Sequence, residues 1–269
     1  MKGRLHRLLG VGLVGILLAV VAIGFIWLPY DPLAIDLDHT LKAPSLAHWL
    51  GTDEFGRDVA ARAMLGARVS VIIAVETVSV AIVIGTMLGL LAGFLRGWTD
   101  RILMTFSDAL LAFPGILLAL ALISVLGSSR HSIVLALAIA YLPATVRVVR
   151  AAALSIRERE YIEASRVAGD GTLYTIWRHV LPNTIPQILV LATSLFGWVI
   201  LSESALSFLG VGVPPPAPSW GNMLSSARPY MYAASWLSIA PGLCIVMTLL
   251  GINMLGDALR DRFDPRERA

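Results

Sequence analysis

Long apolar runs alternate with short polar segments along this chain. Residues 8–28 contain no charged side chain, and five further, largely apolar runs follow at 69–95, 102–126, 132–150, 184–209 and 235–256. Each run is long enough to cross about 30 Å of hydrocarbon as a helix. Because the runs are continuous and do not alternate between apolar and polar residues, they predict helices rather than barrel strands. We therefore expect an all-α polytopic membrane protein with about six transmembrane helices.

The first run has two interpretations. It follows basic residues within the first seven positions, as the apolar core of a secretory signal peptide would. Such a core spans only about 7–15 residues and ends at small residues. This run is longer and leads into Trp27 and Pro29. We therefore expect a membrane anchor that is retained.

Composition and charge agree with a membrane protein and indicate its orientation. The chain is 57% hydrophobic and 14% charged, whereas soluble domains carry about 25% charged residues. Basic residues concentrate at both termini, in the 96–101 turn and in the 147–182 segment, while acidic residues outnumber basic ones in 29–66. Because basic segments stay in the cytoplasm, both termini and the 147–182 segment are predicted to be cytoplasmic. This bias accounts for the pI near 9.3 without a nucleic-acid partner.

The sequence lacks the motifs of several common catalytic and binding sites. The two lysines, Lys2 and Lys42, do not lie in a glycine-rich loop, so the chain lacks the usual phosphate-binding site of an ATPase. Its five histidines lack the spacing of metal ligands, and a G-x-S-x-G nucleophile elbow is absent. The single cysteine, Cys244, excludes an internal disulfide. The sequence therefore predicts a protein that is not an enzyme and binds no metal.

A polar segment, 157–182, lies between the apolar runs at 132–150 and 184–209. Its first part, 157–168, favours a helix that Gly169 would end. Asp170 or Thr172 could cap a second short helix, which Pro182 and Pro186 would stop. The pattern predicts two short helices projecting into the cytoplasm; a solvated loop on the lipid headgroups is the alternative.

This segment resembles the cytoplasmic signature of permease subunits in binding-protein-dependent ABC importers. The signature E-A-A-x-x-x-G, nine residues, then I-x-L-P, is matched by Glu163, Ala164, Ser165 and Gly169, and then by His179 to Pro182. Two positions depart from it, since Ser165 replaces alanine and His179 replaces isoleucine. Three further stretches, 48–70, 207–224 and 253–265, are similar to the second permease of dipeptide, oligopeptide and nickel importers.

The resemblance implies a type I importer fold and a set of partners. These are a second homologous permease, two ATPase subunits, a periplasmic or lipid-anchored solute-binding protein and the bacterial inner membrane. The chain itself would bind no cofactor, because ATP and magnesium belong to the ATPases. The residues expected to couple the chain to the ATPases are Glu163, Ala164, Ser165, Gly169, Leu181 and Pro182.

The expected organisation follows from these assignments. Residues 1–28 form the cytoplasmic N-terminus and first transmembrane helix, and 29–66 form an external loop. Residues 67–257 form the importer domain with its coupling loop at 151–183, and 258–269 form a cytoplasmic tail. Import of di- or oligopeptides is the expected function. Import of nickel or a metal chelate is the alternative, and a stand-alone secondary transporter is the alternative from another class.

The two external loops have recognisable local signals. Thr52 is a candidate N-cap for a helix that leads into the second run. Four prolines between positions 214 and 218 stiffen the second loop, and Trp220 is expected to anchor at the membrane interface.

Charged and small residues inside the runs suggest further roles. Gly85, Gly89 and Gly93 share one helix face and predict close helix packing. Acids inside a membrane need a partner or water. Counting outward from the turn near residue 129 places Asp108 level with Arg147 or Arg150, which predicts a structural salt bridge. Glu76 and Glu203 are the candidates for lining the translocation path.

Overall fold

The computed structural model describes the backbone of residues 2–263 and the side chains of residues 8–263, and this part of the chain is helical with connecting loops. The helices are α1 Lys2–Ile26, α2 Val59–Leu95, α3 Gly97–Leu111, α4 Gly115–Leu126, α5 Arg130–Arg157, α6 Glu160–Val167, α7 Thr172–Thr175, α8 Leu181–Phe208, α9 Trp220–Ala227 and α10 Trp236–Phe263. Short 3₁₀ turns occur at Leu37–His39 and Arg228–Tyr230, and a π-helical turn at Ile176–Val180.

The predicted all-α membrane fold is confirmed, with one correction. In the described residues, five helical stretches are long and apolar enough to cross a membrane, and a sixth crossing exists if α3 and α4 count together. The run predicted at 102–126 is not one continuous helix, because it is divided into α3 and α4, which are bent by 90°. The bend lies at Pro114, where the ring disfavours helical backbone in the preceding residue and removes a backbone donor.

Close contacts between helices establish their directions. A Cβ added to Gly10 in α1 would meet Met254 of α10, and one added to Gly251 would meet Leu13, so α1 and α10 run antiparallel. Gly256 of α10 approaches Thr193 of α8, and Gly197 of α8 approaches Ile252, so these two helices are antiparallel as well. The start of α1, the end of α10 and the segment before α8 therefore lie on one side, which we call the α6 side.

Helices α2 and α5 run parallel and pack through the predicted glycine face. A Cβ on Gly85 would lie 2.6 Å from the Cβ of Thr145, one on Gly89 would lie 2.8 Å from the carbonyl oxygen of Val146, and one on Gly93 would lie 2.7 Å from that of Arg150. The backbones can approach this closely only because side chains are absent. The three glycines thus contact α5 of the same chain.

On the opposite side, the α9 side, α2 extends beyond the membrane. Its 37 residues measure about 55 Å at 1.5 Å per residue, against about 30 Å of hydrocarbon. Its first turns pack against α9 and α10 through Val59, Ala63, Met223, Ala227 and Leu237. The loops on the α9 side therefore share a small core with the helices.

Two expectations for the α9 side are wrong. The residue that caps α2 is Asp58, which accepts a bond from the amide of Ala61 at 2.7 Å, whereas Thr52 bonds within the preceding loop. Trp220 is 1% exposed, and its indole nitrogen donates to the Ala63 carbonyl at 3.1 Å. The tryptophan is therefore a core residue and not an anchor at the interface.

Candidate functional site

Helix α6 packs beneath the ends of three membrane helices. Ile162 is fully buried in a cluster with Phe94 of α2, Val149 of α5 and Val180 next to α8. A helix of eight residues has little stability alone, because isolated helices shorter than about 12–15 residues are marginal in water. The segment is therefore held by tertiary packing and differs from a solvated loop.

The predicted break at Gly169 is confirmed. Gly169 has φ +89°, and its amide donates to the carbonyl of Arg166 at 3.0 Å. The next amide, of Asp170, donates to the Ser165 carbonyl at 3.1 Å. This pair of bonds forms a Schellman motif, in which a glycine ends the helix in the left-handed conformation.

Ser165 connects α6 to the returning chain. Its hydroxyl donates to the Asp170 carboxylate at 2.6 Å and lies 3.4 Å from the hydroxyl of Thr175. The cap of α7 is Gly171, without a side-chain bond, so the predicted cap at Asp170 or Thr172 is wrong. Asp170 instead accepts the Ser165 bond, which orients the turn.

The two prolines after α7 do not end the helix. Residues 172–208 form one continuous candidate span, with the π-helical turn Ile176–Val180 directly before Pro182. Pro182 lies in the first turn of α8, where a missing amide removes few helical bonds, and π-helical turns accommodate local irregularities. Leu181 is half-buried, and Pro182 is exposed.

The surface around α6 combines charged and apolar side chains. Glu163 and Ala164 are exposed, and Val167 is 86% exposed. In the returning chain, Leu173 and Trp177 are 66% and 54% exposed. A small exposed residue beside apolar and charged neighbours allows close approach of another surface.

Glu76, a path candidate, pairs with a residue that sequence reasoning missed. Its carboxylate contacts both Nη2 and Nε of Arg130, the latter at 3.2 Å. The two side chains are 41% and 44% exposed. The pair links α2 to the first residue of α5 and leaves both charges accessible on the surface of this chain.

Glu203, the second path candidate, has a different environment. It is fully buried, and its carboxyl group accepts hydrogen bonds from Ser207 at 2.8 Å and Ser70 at 3.2 Å. Ser219, the cap of α9, donates to Ser207 at 3.3 Å. Glu203 therefore connects α2, α8 and α9.

The candidate salt bridge involves only one of the two predicted arginines. Arg147 Nη2 lies 2.6 Å from Asp108 Oδ1. Arg150 instead pairs with Asp100, with distances of 2.5 and 2.6 Å. Both pairs connect α3 to α5. Asp100 carries no signal in the sequence for this role, because it lies in a polar turn.

On the α9 side, charged residues order the loop between α1 and α2. Asp53 accepts the amides of Phe55 and Arg57 at 2.9 and 3.0 Å and pairs with the side chains of Arg57 and Arg62 at 2.7 and 3.2 Å. Asp58 contacts His48 at 2.8 Å. The loop is thus a folded element.

An exposed pair stabilises the turn before this element. Asp36 accepts a hydrogen bond from His39 at 2.9 Å, and this bond lowers the pKa of the Asp36 carboxyl. Because the fold favours the ionised carboxylate, the Asp36–His39 pair stabilises the fold at pH values above the ordinary pKa of aspartate. This stabilisation is lost as the pH falls through the lowered pKa.

Within the part of the chain that the structure describes, no three histidine, cysteine or acidic side chains are placed to hold a metal ion.

Comparison with known sequences agrees with the helical geometry. A permease protein of a glutathione transport system from Pectobacterium atrosepticum is 43% identical over 98% of this chain and 88% of its own length. Its counterpart from Escherichia coli is 44% identical with the same coverage. A putative peptide transport system permease protein of Brucella abortus is 41% identical over 97% of this chain and 88% of its own length.

A solved structure shares the fold. The chain matches a structure of inward-facing conformations of the MetNI methionine ABC transporter with a TM-score of 0.60 and 19% identity, over 73% of this chain and 94% of the other. Residues 85–269 match the family described as binding-protein-dependent transport system inner membrane component. The protein therefore belongs to this family: it is a multi-pass inner-membrane permease subunit of a binding-protein-dependent ABC importer, whose ATP hydrolysis takes place on partner subunits.

Proposed function

We propose that this permease pairs with a second, homologous permease to form a translocation path for di- or oligopeptides. In this proposal the α6 side is cytoplasmic and α6 couples the path to two ATPase subunits. A solute-binding protein docks on the α9 side. The path forms between the two permeases.

The packing of α6 is the observation that supports the coupling role most directly. Ile162 is buried among residues of α2, α5 and the start of α8, while Glu163 and Ala164 face outward. A force applied to the outer face is therefore transmitted to three membrane helices through one packed side chain. Packed elements move as units because protein interiors are dense.

Exposed charges support the proposed path. Glu76 and Arg130, and Asp108 and Arg147, are 41–59% exposed although they lie in or next to apolar helices. Charged side chains within a membrane face a protein interior or a water-filled cavity. We therefore assign these surfaces of α2, α3 and α5 to the path or to the second permease.

The similar permeases support the substrate class. Their names specify glutathione transport and peptide transport, and glutathione is itself a small peptide. Peptides carry an ammonium and a carboxylate group, and an exposed acid–base pair such as Glu76 and Arg130 complements both charges.

The test of coupling uses two glycines of the same turn. Gly169 has φ +89°, whereas Gly171 has φ −68°, and an added Cβ would meet nothing within 4 Å at either position. Gly169→Val forces a β-branched side chain into left-handed backbone, at a local cost of about 1–3 kcal/mol. Gly171→Val should be tolerated.

We expect Gly169→Val to insert into the membrane normally and to lose stimulated ATP hydrolysis and peptide uptake together. The assay is the complete importer in liposomes with its solute-binding protein, with uptake and ATP turnover measured in the same preparation. Glu163→Arg, which reverses an exposed charge, should act in the same direction. Wild-type uptake and turnover in both Gly169→Val and Glu163→Arg would refute the coupling role.

A further inference from the structure

A basic cleft opens where α2, α5 and α6 meet. It has a volume of about 610 Å³, and its walls carry Arg96, Arg157, Arg159 and Arg166 together with Glu158 and Glu163. The cleft lies on the α6 side; Arg96 and Arg157 lie at the ends of membrane helices, and Arg159 and Arg166 lie at the start of α6 and within it. Four guanidinium groups around one cavity form a site for an anion.

The charges in the cleft are only partly neutralised. Arg96 pairs with Glu158 at 2.6 Å. Among the described residues, Arg157, Arg159 and Arg166 have no carboxylate within 4.0 Å, the limit for an ion pair. A cleft with three unpaired cations and one remaining acid attracts an anionic group.

Arg157 has nitrogen atoms in need of an acceptor. Its Nε and Nη1 are buried and make no hydrogen bond in this structure. The guanidinium groups of Arg157 and Arg166 lie 5.9 and 5.3 Å from the ring centre of Phe94, which is itself buried. The ring positions both cations in advance, and an anion in the cleft would bind the edges of the guanidinium groups that line it.

The position of the cleft indicates which anion reaches it. Arg96 directly follows Leu95, the last residue of α2, and Arg157 is the last residue of α5. Trp98, two residues after Arg96, is 75% exposed, as is typical of tryptophan at the membrane interface. The cleft is thus level with the lipid headgroups.

We propose that this cleft binds the phosphate of an anionic phospholipid headgroup, with Arg157, Arg159 and Arg166 as its ligands. Basic pockets between membrane helices on the cytoplasmic side recognise such headgroups, and guanidinium groups bind phosphate with paired hydrogen bonds. The bound lipid bridges α5 and α6, so it orients α6 relative to the membrane helices.

An acidic side chain of a partner protein has the same charge, but the geometry favours lipid. Two of the arginines, Arg96 and Arg157, lie at the ends of membrane helices, whereas Ala164, on the outward face of α6, does not line the cleft. A protein partner that seats on α6 meets that outward face.

The test measures lipid binding to the full chain purified without its partners. The chain in detergent is titrated with phosphatidylglycerol or phosphatidylcholine, and bound lipid is counted by native mass spectrometry. We expect tight binding of one phosphatidylglycerol and weaker binding of phosphatidylcholine. Arg157→Gln and Arg159→Gln should each weaken phosphatidylglycerol binding about fivefold, the effect of removing one basic residue near an anionic lipid.

Arg101→Gln is the matched control. Arg101 lies over the Trp98 ring at 5.4 Å, at the same level but outside the cleft, so its loss should leave binding unchanged. Arg159 is exposed, so Arg159→Gln should fold normally and keep the test valid if Arg157→Gln does not.

Three results would overturn the proposal. They are equal affinity for both lipids, displacement of phosphatidylglycerol by an equal concentration of inorganic phosphate, and wild-type lipid binding in both cleft variants. The third result together with weaker retention of the ATPase subunits would assign the cleft to a protein contact. Because the measurement needs neither transport nor ATP, its outcome is separate from that of the coupling test.

Discussion

At the scale of single residues, two glutamates in apolar helices have opposite environments. Glu76 is about 40% exposed and pairs with Arg130, whereas Glu203 is fully buried among serine hydroxyls. A buried hydrogen-bond donor without a partner has lost its water and gained no bond in exchange. Removal of Glu203 should therefore lower the stability of the fold more than removal of Glu76, whose partner Arg130 is exposed.

We therefore predict that Glu203→Ala destabilises the chain strongly. Ser70 and Ser207 would lose their acceptor, at about 1–3 kcal/mol for each buried group left unsatisfied. Glu203→Gln retains an acceptor oxygen and should cost less. Glu76→Ala should cost about 1 kcal/mol or less, as is typical of exposed ion pairs.

Thermal unfolding of the purified chain in detergent, followed by tryptophan fluorescence, measures these differences. Glu76→Ala serves as the control for removal of a carboxylate from an apolar helix. Equal melting temperatures for Glu203→Ala and Glu76→Ala would show that the serine cluster does not stabilise the fold.

At the scale of helices, α3 is the element least integrated into the core. Ser107 is its one buried residue, yet two ion pairs connect it to α5, Asp100 with Arg150 and Asp108 with Arg147. By contrast, α2 and α5 share a contact along three glycines. The position of α3 therefore depends on charge pairing more than on apolar packing.

A double-mutant cycle tests that dependence. Asp108→Asn and Arg147→Gln should each destabilise the chain, and the double variant should recover part of the loss. The expected coupling is about 0.2–1 kcal/mol, because both partners are exposed and water screens their interaction.

Arg150→Gln is the control for this cycle, because Arg150 pairs with Asp100. Asp108→Asn combined with Arg150→Gln should show additive losses. Coupling of Asp108 to Arg150 equal to its coupling to Arg147 would contradict the pairing observed here.

At the scale of the whole molecule, the antiparallel pairs α1–α10 and α8–α10 place α6 on the same side as the described ends of the chain. The side is predicted to be cytoplasmic from the distribution of arginines. Two exposed positions mark the opposite sides, Leu46 at 99% and Val167 at 86% exposure.

Cysteine labelling checks this orientation. In a Cys244→Ser background, which removes the single native cysteine, Leu46→Cys should react with a membrane-impermeant thiol reagent in intact spheroplasts. Val167→Cys should react only after the membrane is opened. Labelling of Val167→Cys in intact spheroplasts would reverse the assigned topology.

Several features follow from the sequence alone because they are local. A run of apolar residues long enough to cross the hydrocarbon core is sufficient to predict a membrane helix, and most of the predicted runs correspond to observed helices. Gly169 ends α6 because the required left-handed backbone is a property of one residue. The spacing of Gly85, Gly89 and Gly93 likewise predicts close packing, although not the identity of the neighbouring helix.

The tertiary structure decided which side chains meet. Counting residues outward from the turn near residue 129 treats α3 and α4 as one straight rod, and their 90° bend changes the depth and direction of every residue before Pro114. Arg147 and Arg150 lie on nearly the same face of α5, since three residues advance a helix by about 300°. Their different partners, Asp108 and Asp100, therefore depend on how α3 crosses α5, which no local pattern specifies.

The same reason applies to Glu76 and Glu203. Each lies in an apolar run, and the sequence allows either to line a path. Packing against several neighbours at once sets the rotation of each helix about its own axis. This rotation exposes Glu76 beside Arg130 and buries Glu203 between α2, α8 and α9. The sequence alone determined most of the membrane helices and the family, and the packing of those helices against one another determined which of their charged groups remain exposed.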